Sequence, residues 1–257
     1  MSRSGTATDH RAALRALPER DVPAYLTAGS GLPGPRANLE LMGAFADVAP
    51  PTLVRRLSDD ADEYLRCCGT VGLGRLLLDG HGPDTTGTGG LADATVATEI
   101  EALLHERAAD GSWRVREAAA MALQRLGDTD PATLRRLVAD WVTDLDPLVR
   151  RAAVEGVCEP RLLRDPATAA VALDACAAAT SSIEALPASA RRDPDVRTLR
   201  QALGYCWSVA VAGSPEAGLT AFLAMGASTD PDTAWIDRTN RTKTRLRRLL
   251  DGPDLGS

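Results

Sequence analysis

Apolar residues recur every three or four positions along most of this chain and seldom alternate. From Trp113 onward, Val115, Ala119, Ala122, Leu123 and Leu126 fall on one stripe of a helix. Val196, Leu199 and Leu203 form a second stripe, which runs into the aromatic stretch "GYCWSVA" from Gly204 to Ala210 and packs it inward. The same period predicts helices near 9–17, 21–29, 35–48, 50–58, 61–79, 92–110, 112–127, 131–143, 146–158, 166–186, 194–213, 215–226 and 231–250. Pro33, Pro35, Pro50, Pro131, Pro147, Pro166 and Pro215 fall at starts or in linkers, where the missing N–H is harmless. The longest break, "DGHGPDTTGTGGLAD" from Asp79 to Asp93, predicts a flexible loop near 80–91. No other linker resembles a boundary, so a single domain over 1–257 is expected.

Four segments align without gaps, starting at Asp59, Ala109, Thr143 and Thr229. Each has an Asp six residues before one fixed position: Asp60 to Arg66, Asp110 to Arg116, Asp144 to Arg150 and Asp230 to Ile236. An apolar residue precedes that position: Leu65, Val115, Val149 or Trp235. Asp62, Ser112, Asp146 and Asp232 then stand where a side chain can cap the next helix. The recurring Arg can reach an Asp in the neighbouring unit, giving a structural ladder of Asp60, Arg66, Asp110, Arg116, Asp144 and Arg150.

This spacing, with the apolar residue before the Arg and the alanine-rich helix after it, resembles the HEAT repeat family. The resemblance implies an all-α fold, a right-handed α-solenoid of antiparallel helix pairs whose concave face engages a partner. Arg116 and Arg150 lie 34 residues apart and Arg66 and Arg116 lie 50 apart, on either side of the roughly 40–47 usual for such repeats.

Composition sharpens the picture. Aromatic residues make up 4% of the chain, so its helices must pack through small side chains. No stretch of apolar residues is long enough to cross a membrane as a helix, and no secretory signal core opens the sequence. Cys67, Cys68, Cys158, Cys176 and Cys206 are odd in number and contain no CxxC pair, which favours buried free thiols and a cytoplasmic setting. His10, His81 and His105 are scattered, so neither metal nor cofactor is expected. Gly87 to Gly90 lacks the ending of a phosphate loop.

Net charge is −6, and one segment runs against it. "RTNRTKTRLRR", Arg238 to Arg248, holds six basic residues and no acid, leaving −12 for the remainder. On a helix near 231–250, Arg238, Arg241, Arg245 and Arg248 form one stripe, either tracking phosphates or keeping a terminal repeat soluble. Trp113 shares a helix face with Glu117, Ala120 and Gln124, so it is expected to be partly exposed, as an anchor for a peptide or a platform for a base.

"VRRAAVEGVCEPRLL", Val149 to Leu163, resembles the HEAT-like alkylpurine DNA glycosylases through Val149, Arg150, Arg151, Glu155, Gly156, Pro160, Arg161 and Leu162. That resemblance implies a carboxylate, here Glu155, stabilising the cationic sugar as an alkylated base leaves, with Arg151 on a backbone phosphate. Leu163 stands where that family has a tryptophan, and Ser112 near where it has a second acid. The plainer reading is a solvated Arg151–Glu155 pair one turn apart on an exposed helix face. The sequence therefore favours a non-enzymatic binding module for a protein or peptide partner, with no assignable oligomeric state. A DNA-binding repair protein, with Glu155 as the catalytic group, is the alternative.

Overall fold

The computed structural model of the protein describes residues 9–79 and 90–251. Fourteen α-helices and three short 3₁₀ turns make up the described residues, with no strand. The loop expected near 80–91 lies outside them up to Gly90, where a helix begins. The chain divides into two compact units, 1–122 and 123–257.

The first unit holds α1 (His10–Ala16), α2 (Val22–Gly29), α3 (Leu39–Val48), α4 (Pro51–Ser58), α5 (Glu63–Asp79), α6 (Gly90–Ala108) and the opening of α7 (Trp113–Thr129). Leu26, Leu41, Phe45, Leu57 and Leu104 are fully buried and form its core. α5 packs against α3, α4 and α6. Glycine lets it come close: a Cβ on Gly69 would stand 2.1 Å from the Ser58 backbone nitrogen, and one on Gly74 2.4 Å from the Ala122 carbonyl oxygen. The helix expected from 35 begins instead at Leu39. Asn38 caps it by accepting the Leu41 N–H at 3.0 Å. Pro33 and Pro35 disfavour helix in the residues before them, and Gly31, at φ 76°, turns the chain so that Asn38 N–H reaches the Ser30 carbonyl at 2.8 Å.

The second unit holds the rest of α7, then α8 (Pro131–Trp141), α9 (Pro147–Val157), α10 (Pro166–Glu184), α11 (Pro194–Gly213), α12 (Pro215–Gly226), α13 (Pro231–Arg241) and α14 (Thr244–Leu250). Helices α8 to α13 all open on proline, and in five of them the preceding Asp accepts a hydrogen bond from the first turn: Asp130, Asp146, Asp165, Asp193 and Asp230. Proline preorganises the first helical position, and each cap is worth about 1 kcal/mol. α11 is central, in contact with α9, α10, α12, α13 and α14. Its Trp207 is buried, donates Nε1–H to Thr180 Oγ1 at 3.0 Å and meets Phe222 edge-on. Buried Asn240 joins α13 to α11: it accepts the Ser208 N–H at 2.9 Å and donates to the Leu203 carbonyl at 2.9 Å.

The single helix expected near 231–250 is two helices. The chain leaves helical geometry at Lys243 (φ −77°, ψ 125°), after Thr242 turns its hydroxyl onto the Thr239 carbonyl at 2.7 Å. Thr239, Thr242 and Thr244 are β-branched and offer the backbone competing hydrogen bonds, which weakens a continuous helix there.

Candidate functional site

The turn before α7 places Trp113, and the repeated Asp and Arg build that turn. The Asp110 carboxylate accepts the Ser112 N–H at 2.7 Å and Arg66 Nε–H at 3.0 Å, and lies 3.6 Å from Arg107. These side chains are only 10%, 18% and 8% exposed. Arg116 donates back to the carbonyls of Asp110 and Gly111 at 2.7 and 3.2 Å. Arg66 does the same one repeat earlier, to Asp60 and Ala61 at 2.6 and 3.3 Å. The six-residue spacing thus puts a guanidinium over the carbonyls of its own turn. Arg66 has Nε left over for Asp110 of the next repeated turn.

The caps follow the sequence in three of the four segments. Asp62 accepts from the Tyr64 and Leu65 N–H groups, Ser112 from Arg114, and Asp146 from Leu148. Asp144 accepts the Asp146 N–H at 2.8 Å, and Arg150 is half-buried beside Asp146, Leu186 and Val196. In the fourth segment Asp232 is not the cap. Pro231 occupies the first helical position, so Asp230 caps the Asp232 and Thr233 N–H groups while the Asp232 carboxylate pairs with Arg191 and Arg200.

Trp113 stands 54% exposed at the start of α7. The Arg114 guanidinium lies over its ring, 4.6 Å from the centroid, and is held by Glu63 at 3.0 Å. Ser112 Oγ donates to the same Glu63 at 2.5 Å. Beside the ring opens a cavity of about 290 Å³, walled by Leu39, Met42, Ala118, Met121 and Cys67, with Arg36 and Glu117 also facing it. Leu39 is 57% exposed. Burial, with Glu63 adding to it, pushes the Cys67 thiol up to about 12, so the sulfur is a neutral, apolar wall and not a nucleophile. The loop 30–38 supplies Pro35, Arg36 and Ala37 to the rim. Sequence periodicity drew 35–38 into a helix and hid that contribution; the closely spaced Pro33, Gly34 and Pro35 are the signal that marks it as loop.

The other sequence candidates are dispersed. Arg151 is buried, 7% exposed, and its guanidinium lies 2.6 Å from Glu155. The solvated pair on an exposed face is corrected by this: α9 packs against both α10 and α11, and Ala152, Ala153 and Val154 beside Arg151 are fully buried. Arg238 and Arg248 are exposed. Arg241 is held by Asp237 at 2.8 Å, and Arg245 donates to the Tyr205 hydroxyl at 2.7 Å. With the helix broken at Lys243, these four arginines do not make one continuous stripe. All five cysteines are buried free thiols. Cys158 and Cys176 have sulfurs 3.8 Å apart; their mutual hydrogen bond and burial drive the Cys158 thiol upward, and burial does so for Cys176. Among the described residues no group of His, Cys, Asp and Glu side chains is arranged to hold a metal ion, and no helix is long and apolar enough to cross a membrane.

Asp-capped helices and an Arg that reaches from one repeated turn to the next give the described residues an all-α, helical-repeat architecture. Within it, residues 89–158 match the family model of HEAT repeats. Among solved structures the chain is similar to a designed armadillo repeat protein, 12% identical, over 90% of this chain and 96% of that one, with a TM-score of 0.38. A second designed armadillo repeat protein, solved in complex with the peptide (KR)4, is 13% identical over the same shares, with a TM-score of 0.36. Comparison with curated proteins finds no match.

Proposed function

We propose that this protein is a binding module, and that the cavity beside Trp113 anchors an apolar side chain of a peptide or protein partner. The observation that carries the reading is the pairing of an exposed Trp113 and an exposed Leu39 around one apolar hollow; Leu145, Tyr205 and Leu223 are exposed as well, but none of them lines it. An indole fixed by a cation–π contact is preorganised and loses little conformational freedom on binding. Trp and Arg are the residues that most often dominate interface energetics, typically in a pocket with apolar walls. Glu63 holds Arg114 and Ser112 together, so the rim is set before any partner arrives.

The test is a selection of short random peptides on the purified protein, repeated on Trp113→Ala. Peptides selected on the parent are expected to share one large aliphatic or aromatic residue and to lose at least about tenfold in affinity, or 1.4 kcal/mol, on the variant. Trp113 is half in solvent, so the variant should stay folded. Selected peptides that bind the variant equally well sink the proposal.

A further inference from the structure

The second unit carries a separate cluster that none of the foregoing uses. Arg191, Arg192, Arg197 and Arg200 line one hollow of about 490 Å³, together with Gln201, Pro231 and Asp232. Two of the four arginines are occupied. Arg191 donates to the Leu186 and Glu184 carbonyls at 2.8 and 2.6 Å and to Asp230. Arg200 pairs with Asp232 and lies over the Trp235 ring, 4.8 Å from its centroid. Asp230 and Asp232 therefore balance Arg191 and Arg200 charge for charge.

Arg192 and Arg197 are left over. Both are exposed, on the 3₁₀ turn before α11 and in its first turn, and among the described residues neither is paired with a carboxylate. The nearest other acids in sequence, Asp193 and Asp195, face the adjoining hollow with Leu145 and Pro147, and Asp193 is engaged in capping the Asp195 N–H at 2.8 Å. Arg200 adds a buried Nε–H with no acceptor. The hollow thus has a surplus charge of two and planar guanidinium groups from the 3₁₀ turn and from α11 in its lining. Its far wall is fixed by the Arg191 and Arg200 ion pairs, so the arrangement stands before a ligand arrives.

We propose that this hollow is a binding site for a phosphate monoester. A carboxylate offers one charge and two acceptor atoms. A phosphate monoester offers close to two charges at neutral pH and three strong acceptor oxygens, which match the surplus charge and the number of spare donor groups. The hollow is much larger than a phosphate ion, so the ligand is a phosphorylated molecule or side chain. Arginine suits this task because its fork presents parallel N–H donors and never loses its charge. The site is independent of the Trp113 cavity and stands or falls without it.

Calorimetric titration of the full chain with O-phosphoserine, adenosine 5′-monophosphate and serine tests the proposal at fixed ionic strength. Binding of either monoester, with none of serine, is the expected result, and the tighter of the two tells a phosphorylated side chain from a nucleotide. Arg192→Gln with Arg197→Gln together should weaken it at least about tenfold. Arg238→Gln with Arg248→Gln, which removes the same charge elsewhere in the unit, should leave it unchanged. All four positions are exposed, so both variants should melt with the parent. No binding of either monoester at millimolar concentration overturns the site, and so does equal weakening by the two double variants.

Discussion

Replacing Asp110 with alanine removes the acceptor on which three groups of the first unit converge. Arg66 at 3.0 Å and Arg107 at 3.6 Å lose their shared carboxylate, and the Ser112 N–H loses its 2.7 Å bond. Both guanidinium groups are at least four-fifths buried, so water cannot fully replace the lost partner. Removing one member of a buried ion pair costs about 3–5 kcal/mol, most of it the penalty of the charge left behind. Arg66 keeps two carbonyl acceptors and Arg107 stays near Asp59 and Glu106, which places the expectation at the lower end, about 3 kcal/mol. Asp21→Ala is the control. Asp21 pairs with Arg20, and their side chains are 51% and 84% exposed; exposed pairs contribute about 0–1 kcal/mol. With a urea dependence of about 2–3 kcal/mol per molar, Asp110→Ala should lower the midpoint by about 1–1.5 M and Asp21→Ala by a few tenths at most. Arg66→Ala combined with Asp110→Ala should cost less than the sum of the singles, since both delete one contact. Equal midpoints for the Asp110 and Asp21 variants would refute the claim that the repeated Asp and Arg hold the turns together.

Gly69→Ala should destabilise by about 1–3 kcal/mol or more, read as a loss in Tm, because its new methyl meets the Ser58 backbone and not a movable side chain. For Asp230, burial pushes the carboxyl up, while the Arg191 hydrogen bond and the N–H groups of Thr233 and Asp232 outweigh it and leave it below the ordinary range. Its contribution is therefore fully present above the unfolded value of about 3.9 and is lost as pH falls through the depressed folded one. Urea midpoints measured from about pH 5 down to pH 2 should fall less steeply in Asp230→Asn than in the parent, and parallel curves would count against the assignment. Methylated DNA incubated with the protein should release neither 3-methyladenine nor 7-methylguanine above background, since Glu155 is tied to buried Arg151. Base release lost on Glu155→Gln would reverse that expectation.

Much of the fold was legible because its signals are local. Asp before Pro marks the helix starts Asp146–Pro147 and Asp165–Pro166, and the apolar stripe from Val115 to Leu126 is buried throughout. The failures are also local conflicts. Thr242 and Lys243 interrupt a helix that charge periodicity ran straight through, and Asp232 lost the capping role to Asp230 because Pro231 sets the register. The site was half legible. Trp113 could be placed on an exposed face from its neighbours four, seven and eleven positions on, but Leu39, Met42 and Cys67 reach the same cavity from α3 and α5. Nothing in a helical period says which distant helix will complete a hollow. Arg191 and Arg200 escaped notice for the same reason: their carboxylates lie more than thirty residues away.

The Arg66–Asp110 contact spans 44 positions of sequence, and it takes no account of how much chain lies between. Its rigid part is the interior of the motif, where inserting one residue would swing the Arg by about 100° around the helix and away from its own turn. Between one motif and the next, length is free. Faces lined with alanine, such as Ala118, Ala119, Ala120 and Ala122 of α7, are nearly smooth and offer few features that index one helix against another. The charged contact supplies the index instead. The 50 residues from Arg66 to Arg116 can then vary in number without changing how the two turns dock, and it is between motifs that this chain can gain or lose residues without unseating its neighbours.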